Sequence, residues 1–312
     1  MSSGLQQSKQ QRRRNAVLAR VRRHPGTSRQ QLAEALHTST YSMSTTVREM
    51  VEQRLLVEGE PIEGGAIGRP SVPLEVNPEV ELTAGVDIEA EAWRLVLMDF
   101  AGGVVYRHEQ PMPGTTCRDD VVQALTSMLK RRITSCRRRW PRVASLGVAA
   151  PGFIDHEAGI VEQYNMVEGF ERIPLRDLYA TLTGLPTTLA WNIRCLARWD
   201  QWQRQAVADR VTLCVAVRSG IGAVLFEGAD VFRGSHKLAG ELGLFPLDDG
   251  VLEQRIGMRA LARQVTGLPR GFTRGVPEAI ERAWAKPAVR RELTDRLHDL
   301  ARVLAGLCTM LD

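Results

Sequence analysis

A chain of 312 residues is long enough for two or three domains, and 44% hydrophobic content can supply a substantial core. The formal net charge is only +5, so any strongly basic character is local and a uniformly basic coat is excluded. No run of about eighteen apolar residues is present, the start MSSGLQQSKQQRRRN lacks the apolar segment of a signal peptide, and no membrane partner is expected. The five cysteines (Cys117, Cys136, Cys195, Cys214, Cys308) are an odd, widely spaced set with no CxxC. That pattern offers neither a disulfide framework nor a zinc knuckle, and it suits a reducing compartment, the cytoplasm.

Eight positive side chains and no acidic one fall in the first thirty residues, Lys9 through Arg29. A solvated tail and a polyanion-binding segment both fit that run taken alone; duplex DNA is the commonest such polyanion. Gln11 to Arg23 reads as a helix with Val17, Leu18 and Val21 on its apolar stripe, stopped at Pro25-Gly26. Ser28 can cap a second helix with Leu32, Ala33 and Leu36 inward, and Ser39 a third with Met43, Val47, Met50 and Val51 inward. Tyr41, Ser42, Ser44, Thr45 and Arg48 then point outward. Such a short polar set can enter a major groove about 12 Å wide and offer hydroxyls and a guanidinium to base edges. Serine and threonine are also ordinary surface residues, but they fill a helix worse than Glu or Lys would.

Leu55 to Val57 reads as a strand and Pro73 to Val76 as its return, enclosing GEPIEGGAIGRPS. The order helix–turn–helix then hairpin predicts a winged helix over residues 1–80. Its DNA contacts would come from Arg12, Arg13, Arg14, Ser39, Tyr41, Ser42, Ser44, Thr45 and Arg48, with Arg69 of the wing on a phosphate or in the minor groove. A plain hairpin with a chance arginine is the alternative for Arg69.

From Glu81 onward, strands and helices alternate. Thr83–Asp87, Trp93–Asp99, Gly102–Arg107, Arg142–Ala149, Leu189–Trp191, Val211–Val217 and Ala223–Phe226 read as strands. Asp119–Ile133 reads as a helix, with Val122, Leu125, Leu129 and Ile133 on one side. Arg131, Arg132 and Arg137 to Arg139 read as solvated surface, and Asp155 and His156 as turn and surface residues. The expected class is α/β over residues 81–312.

Eight segments in order resemble the ROK family (repressors, open reading frames and kinases), and its transcriptional-regulator branch in particular. They are S28-R-Q-Q-L-A33, G68-R-P70, G85-V-D-I88, G147-V-A-A-P-G-F-I-D155, G159-I-V-E-Q-Y-N165, G184-L-P186, S219-G-I-G-A223 and F232-R-G-S-H-K-L-A-G-E-L-G243. The resemblance implies a winged helix joined to a sugar-kinase-like body of the actin/hexokinase fold. It also implies sugar contacts at Asn165, Asn192 and Glu241. Where kinases of the family carry an Asp-x-Gly-Gly-Thr phosphate loop, this chain has Asp87-Ile88-Glu89-Ala90-Glu91, whose carboxylates would repel phosphate. Arg218-Ser219-Gly220-Ile221-Gly222 stands at the second phosphate loop and keeps glycines that could take an anion. The family's catalytic aspartate is matched by Asn192, which cannot take a proton but can still bond a hydroxyl. Trp191 beside it can stack on a sugar or fill space.

The histidine that follows the last glycine in family members is Leu244 here, and the family's zinc loop has no counterpart. His236 is close but solitary, so no metal and no cofactor are expected. Leu293 to Leu311 reads as a helix with Leu297, Leu300, Ala301, Leu304 and Leu307 inward. The family continues past such a helix with the rest of its second lobe, so the body is expected to be truncated. Three functions follow: a DNA-binding repressor answering a sugar or related polar effector, a sugar kinase, or a DNA-binding protein whose body only dimerises. The first is preferred, as a homodimer on a palindrome, because one recognition helix reads only a few base pairs.

Overall fold

The computed structural model describes residues 2–62, 71–89, 92–112, 117–164, 167–204, 210–218, 220–228, 230–235, 239–258, 260–261 and 276–311. Two compact units divide the chain. One comprises Met1–Gly85, Val96–His108 and Arg132–Leu146; the other comprises Val86–Leu95, Glu109–Arg131 and Gly147–Asp312.

The first unit opens with α1 (Ser2–Arg23), α2 (Arg29–Ala35) and α3 (Thr40–Glu52). Helix α1 starts earlier than the apolar stripe predicts, because glutamine, lysine and arginine favour helix without needing a buried face. It stops at Pro25-Gly26, where Gly26 takes φ +86°. The Ser28 hydroxyl accepts from the Gln31 N–H at 3.3 Å while the Gln31 side chain accepts from the Ser28 N–H at 2.8 Å, a reciprocal capping box. Ser39 caps α3 by accepting from the Ser42 N–H.

Strands β1 (Leu56–Glu58) and β2 (Leu74–Val76) pair antiparallel with Leu56 opposite Val76. A further bridge joins Ile62 to Ser71, so the hairpin extends past its two named strands. Arg69 lies outside the described residues. Val17, Val21, Leu32, Met43, Val47, Met50, Leu56 and Leu74 are at most 1% exposed and form one cluster. Each such side chain stabilises the unit by about 1.5–3 kcal/mol. Phe100 and Ala101 pack against the same cluster, and Arg22 donates to the Phe100 carbonyl with its guanidinium 5.3 Å from the ring centroid.

The α/β part carries β3 (Leu82–Ile88), β4 (Ala92–Asp99), β5 (Val104–Pro111), α4 (Arg118–Arg139), β6 (Val143–Ala150), β7 (Phe153–Asp155), β8 (Ile160–Gln163) and β9 (Glu171–Ile173). There follow α5 (Leu175–Thr183), β10 (Thr187–Trp191), α6 (Asn192–Arg204), β11 (Val211–Val217), β12 (Ile221–Glu227) and β13 (Asp230–Val231). Strand order in the largest sheet is β10-β6-β3-β4-β5, and β7-β8-β9 and β11-β12-β13 form smaller antiparallel sheets. Asp119 and Asp120 begin α4 and Arg137 to Arg139 end it, which suits both ends of the helix dipole. Those three arginines are exposed, as expected. Gly184 ends α5 in the left-handed region, at φ +67°, and Pro186 prevents its continuation.

The helix Pro287–Leu311 departs from the expected stripe. Leu293, Arg296 and Val303 are its buried residues, with Leu300, Leu304 and Leu307 partly covered, whereas Leu297 is 52% exposed. Arg296 takes the inward place near Leu297 because it donates to Glu292 on its own helix and to the Arg255 carbonyl. Among the described residues no helix is long and apolar enough to cross a membrane.

Candidate functional site

On α3, Tyr41 is 84% exposed and Arg48 is exposed with no hydrogen bond or ion pair to a described residue. The other polar residues of that face are more committed. The Ser42 hydroxyl accepts from Arg13 at 3.2 Å, Thr45 donates to the Tyr41 carbonyl at 3.1 Å, and Ser39 is used as the cap. Ser44 is half-buried and Arg12 is exposed, while Arg14 turns onto Gln53 at the end of α3. Arg13 and Arg14 therefore tie α1 to α3, leaving Tyr41, Arg48 and Arg12 as the openly presented groups.

In the second unit a cleft is built where several elements end. Strand β3 ends toward Glu89, β10 runs through Trp191 into Asn192 at the start of α6, and β11 ends at Arg218. Pro151-Gly152-Phe153 closes one side, and Glu241 and Leu244 another. Two glycines make this convergence possible. A Cβ on Gly152, at φ +85°, would lie 2.2 Å from the Gln163 carbonyl oxygen. A Cβ on Gly240, at φ +100°, would lie 1.9 Å from that of Ala223. The space encloses about 760 Å³ including its open mouth.

Glu89 does not project as a phosphate-repelling charge. It is 9% exposed, and Arg218 stands 2.7 Å from its carboxylate. Arg218 also lies 3.5 Å from Asp87, which pairs with Arg94 at 3.0 Å, and Arg94 reaches Glu109 at 3.1 Å. Asn192, 5% exposed, donates to the same Glu89 oxygen at 2.7 Å. The residue expected to meet a sugar hydroxyl thus has one amide N–H committed to Glu89, leaving its second N–H and its carbonyl oxygen as the remaining polar groups.

Two glycines of the second loop are closely packed. A Cβ on Gly222 would meet Ile193 at 2.3 Å and Trp191 at 2.8 Å, and one on Gly220 would meet the Glu253 carboxylate at 2.9 Å. Burial, with the Glu253 charge nearby, raises the Glu241 carboxyl to about 7. Asn165 and His236 lie outside the described residues. Leu244 is 48% exposed at the cleft wall. Among the described residues no group of three or more His, Cys, Asp or Glu is arranged to hold a metal ion.

His156 corrects the surface reading. It is half-buried and lines a second pocket with Trp191, Arg194, Phe232 and Arg233. Burial, then the charges of Arg194 and Arg233, lowers its basicity. Neither Arg218 nor this pocket was legible beforehand, because their partners lie far away in sequence; an arginine opening a glycine loop was the only hint.

Residues 83–264 match the ROK family and residues 15–65 match the MarR family. The chain is 24% identical over 233 residues to a putative xylose repressor of Caldicellulosiruptor sp. (strain Rt8B.4), covering 74% of this chain and 58% of that protein. It is 26% identical over 224 residues to the DNA-binding transcriptional repressor Mlc of Escherichia coli (strain K12), covering 71% and 54%. The chain thus spans little more than half the length of these curated relatives. A crystal structure of a ROK family transcriptional regulator, a homologue of the E. coli Mlc protein, superposes with a TM-score of 0.74 at 21% identity, over 97% of this chain and 81% of that one. A ROK family glucokinase from Streptomyces griseus, in complex with glucose and AMPPNP, gives 0.59 at 20% identity, over 74% and 80%. These two likenesses are of fold. With an α/β sugar-kinase-like core, a helical N-terminal region and a family match over more than half its length, the chain belongs to the ROK family.

Proposed function

We propose that this protein is a cytoplasmic, sequence-specific DNA-binding regulator, a repressor that answers a sugar or related polar effector. Residues 1–80 act as a winged helix: α3 enters the major groove, Tyr41, Ser44 and Arg48 meet base edges, and Arg12 and Arg69 meet the backbone. Arg13 and Arg14 support this by holding α1 against α3. Residues 81–312 bind the effector in the cleft around Asn192 and Glu241, with Asn165 as a further contact, and join two copies into a homodimer. The relatives described as repressors favour the same reading.

The observation that carries it is the state of the cleft. Phosphoryl transfer needs a group that accepts the hydroxyl proton, and Asn192 is an amide bonded to Glu89. The Glu89–Arg218 pair occupies the neighbouring wall. A non-catalytic sensor fits that chemistry; a kinase does not. Selection of bound duplexes from a random pool, read by gel shift, tests the reading. Enrichment of a palindromic site that a cognate sugar releases is expected, and recovery of no sequence above background would overturn it.

A further inference from the structure

A second pocket, which shares Trp191 with the cleft, has a chemistry that sugar recognition does not require. Arg194, on the first turn of α6, is half-buried and makes no hydrogen bond or ion pair with a described residue. Arg233 lines the same pocket from the segment after β13, and its ion pair among the described residues is a loose 3.9 Å approach to the largely exposed Glu157. Burial, then the charges of Arg233 and Arg198, pulls the Arg194 guanidinium below its ordinary range. Arg198 itself lies over the Phe226 ring, 5.4 Å from its centroid. Against these three cations stand Glu157 and Asp155. Asp155 already accepts from the Glu157 and Ala158 backbone N–H groups. In the same pocket, His156 is anchored by a hydrogen bond to the Leu189 backbone, while its Nδ1 is buried without a partner among the described residues.

We propose that this pocket is an anion subsite for a phosphorylated small molecule, with the phosphate between Arg194 and Arg233 and the rest of the ligand against Trp191 and Phe232. Guanidinium groups bind phosphate oxygens through paired charge-assisted hydrogen bonds, and a bound anion relieves the repulsion between Arg194 and Arg233. A phosphate that retains an O–H can also donate to His156 Nδ1, which a carboxylate cannot. Glu157 acts as a weak internal competitor: its carboxylate shares Arg233 until the ligand arrives. Because Trp191 borders both this pocket and the cleft, one ligand can place its phosphate here and its polar ring toward Asn192. The proposal rests on the body being a small-molecule sensor, and is independent of whether the first unit binds DNA.

The test is calorimetric titration of the full chain at low salt with inorganic phosphate, glucose 6-phosphate, gluconate and glucose. Both phosphates are expected to bind, and gluconate to bind more weakly than glucose 6-phosphate. R194Q/R233Q should weaken both phosphates by at least about tenfold, as expected for lost hydrogen bonds to a charged group. E157Q should tighten them, a gain that misfolding cannot imitate. Absence of phosphate binding at about 10 mM, or parent-like affinity in R194Q/R233Q, would overturn the subsite. Gluconate binding as tightly as glucose 6-phosphate would overturn its preference for phosphate. Phosphate binding by a protein that selects no duplex would remove the proposed repressor function while leaving the subsite standing.

Discussion

Arginines are used in opposite ways on α3 and in the cleft. Arg48 is exposed and has no partner among the described residues, so its charge is available to whatever approaches from solvent. Arg218 stands between Glu89 and Asp87, so its charge is already used within the molecule. An exposed guanidinium contributes little to stability and can be lost without unfolding, whereas a buried one cannot be removed without stranding its carboxylate. Availability to solvent and structural commitment thus separate by exposure, within a single residue type.

The largest effect expected follows from that contrast. R218M removes the cation beside the buried Glu89 carboxylate and should destabilise the protein by about 3–5 kcal/mol in urea unfolding, while the double change E89L/R218M should recover much of the loss. Equal stability of R218M and parent would mean that the pair carries no structural weight. A second effect lies in the same wall. The folded carboxyl of Glu241 is raised to about 7 from an ordinary 4.5, so the folded state holds its proton more tightly than the unfolded chain. Its contribution to stability is present in full below pH 4.5 and declines as pH rises to about 7. E241Q should flatten that part of the stability–pH curve; an unchanged slope would contradict the assigned environment.

On the other side of the comparison, R48A should cost about 1–3 kcal/mol in binding a selected duplex, and the cost should vary with sequence. Its unfolding midpoint should stay within about 0.5 kcal/mol of the parent. S28A should lower the stability of the first unit by roughly 1 kcal/mol, because one half of the capping box disappears. The smallest effect belongs to Arg12: its removal should reduce the salt dependence of DNA binding by about one ion, uniformly across sequences.

Local features were legible in the sequence where local physics decides them. Ser28 and Ser39 before periodic apolar residues identify both caps. The alternation of Val17, Val21, Met43, Val47 and Met50 identifies the faces that become the first core. What stayed hidden depends on distant partners. Glu89 reads as a repulsive charge until Arg218, 129 positions later, is brought against it. The close packing of Gly220 and Gly222 against Glu253, Ile193 and Trp191 was equally hidden. Leu297 reads as inward until Arg296 takes that position with partners of its own.

The central claim is that α3 reads DNA. Binding of the full chain to duplexes selected from a random pool, compared for the parent, R48A and R218M at about physiological salt, tests it most directly. The account predicts a preferred palindromic site, at least about fivefold weaker binding by R48A, and parent-like binding by whatever fraction of R218M remains folded. A protein that selects no site, or an R48A that binds the selected site as tightly as the parent, would contradict it.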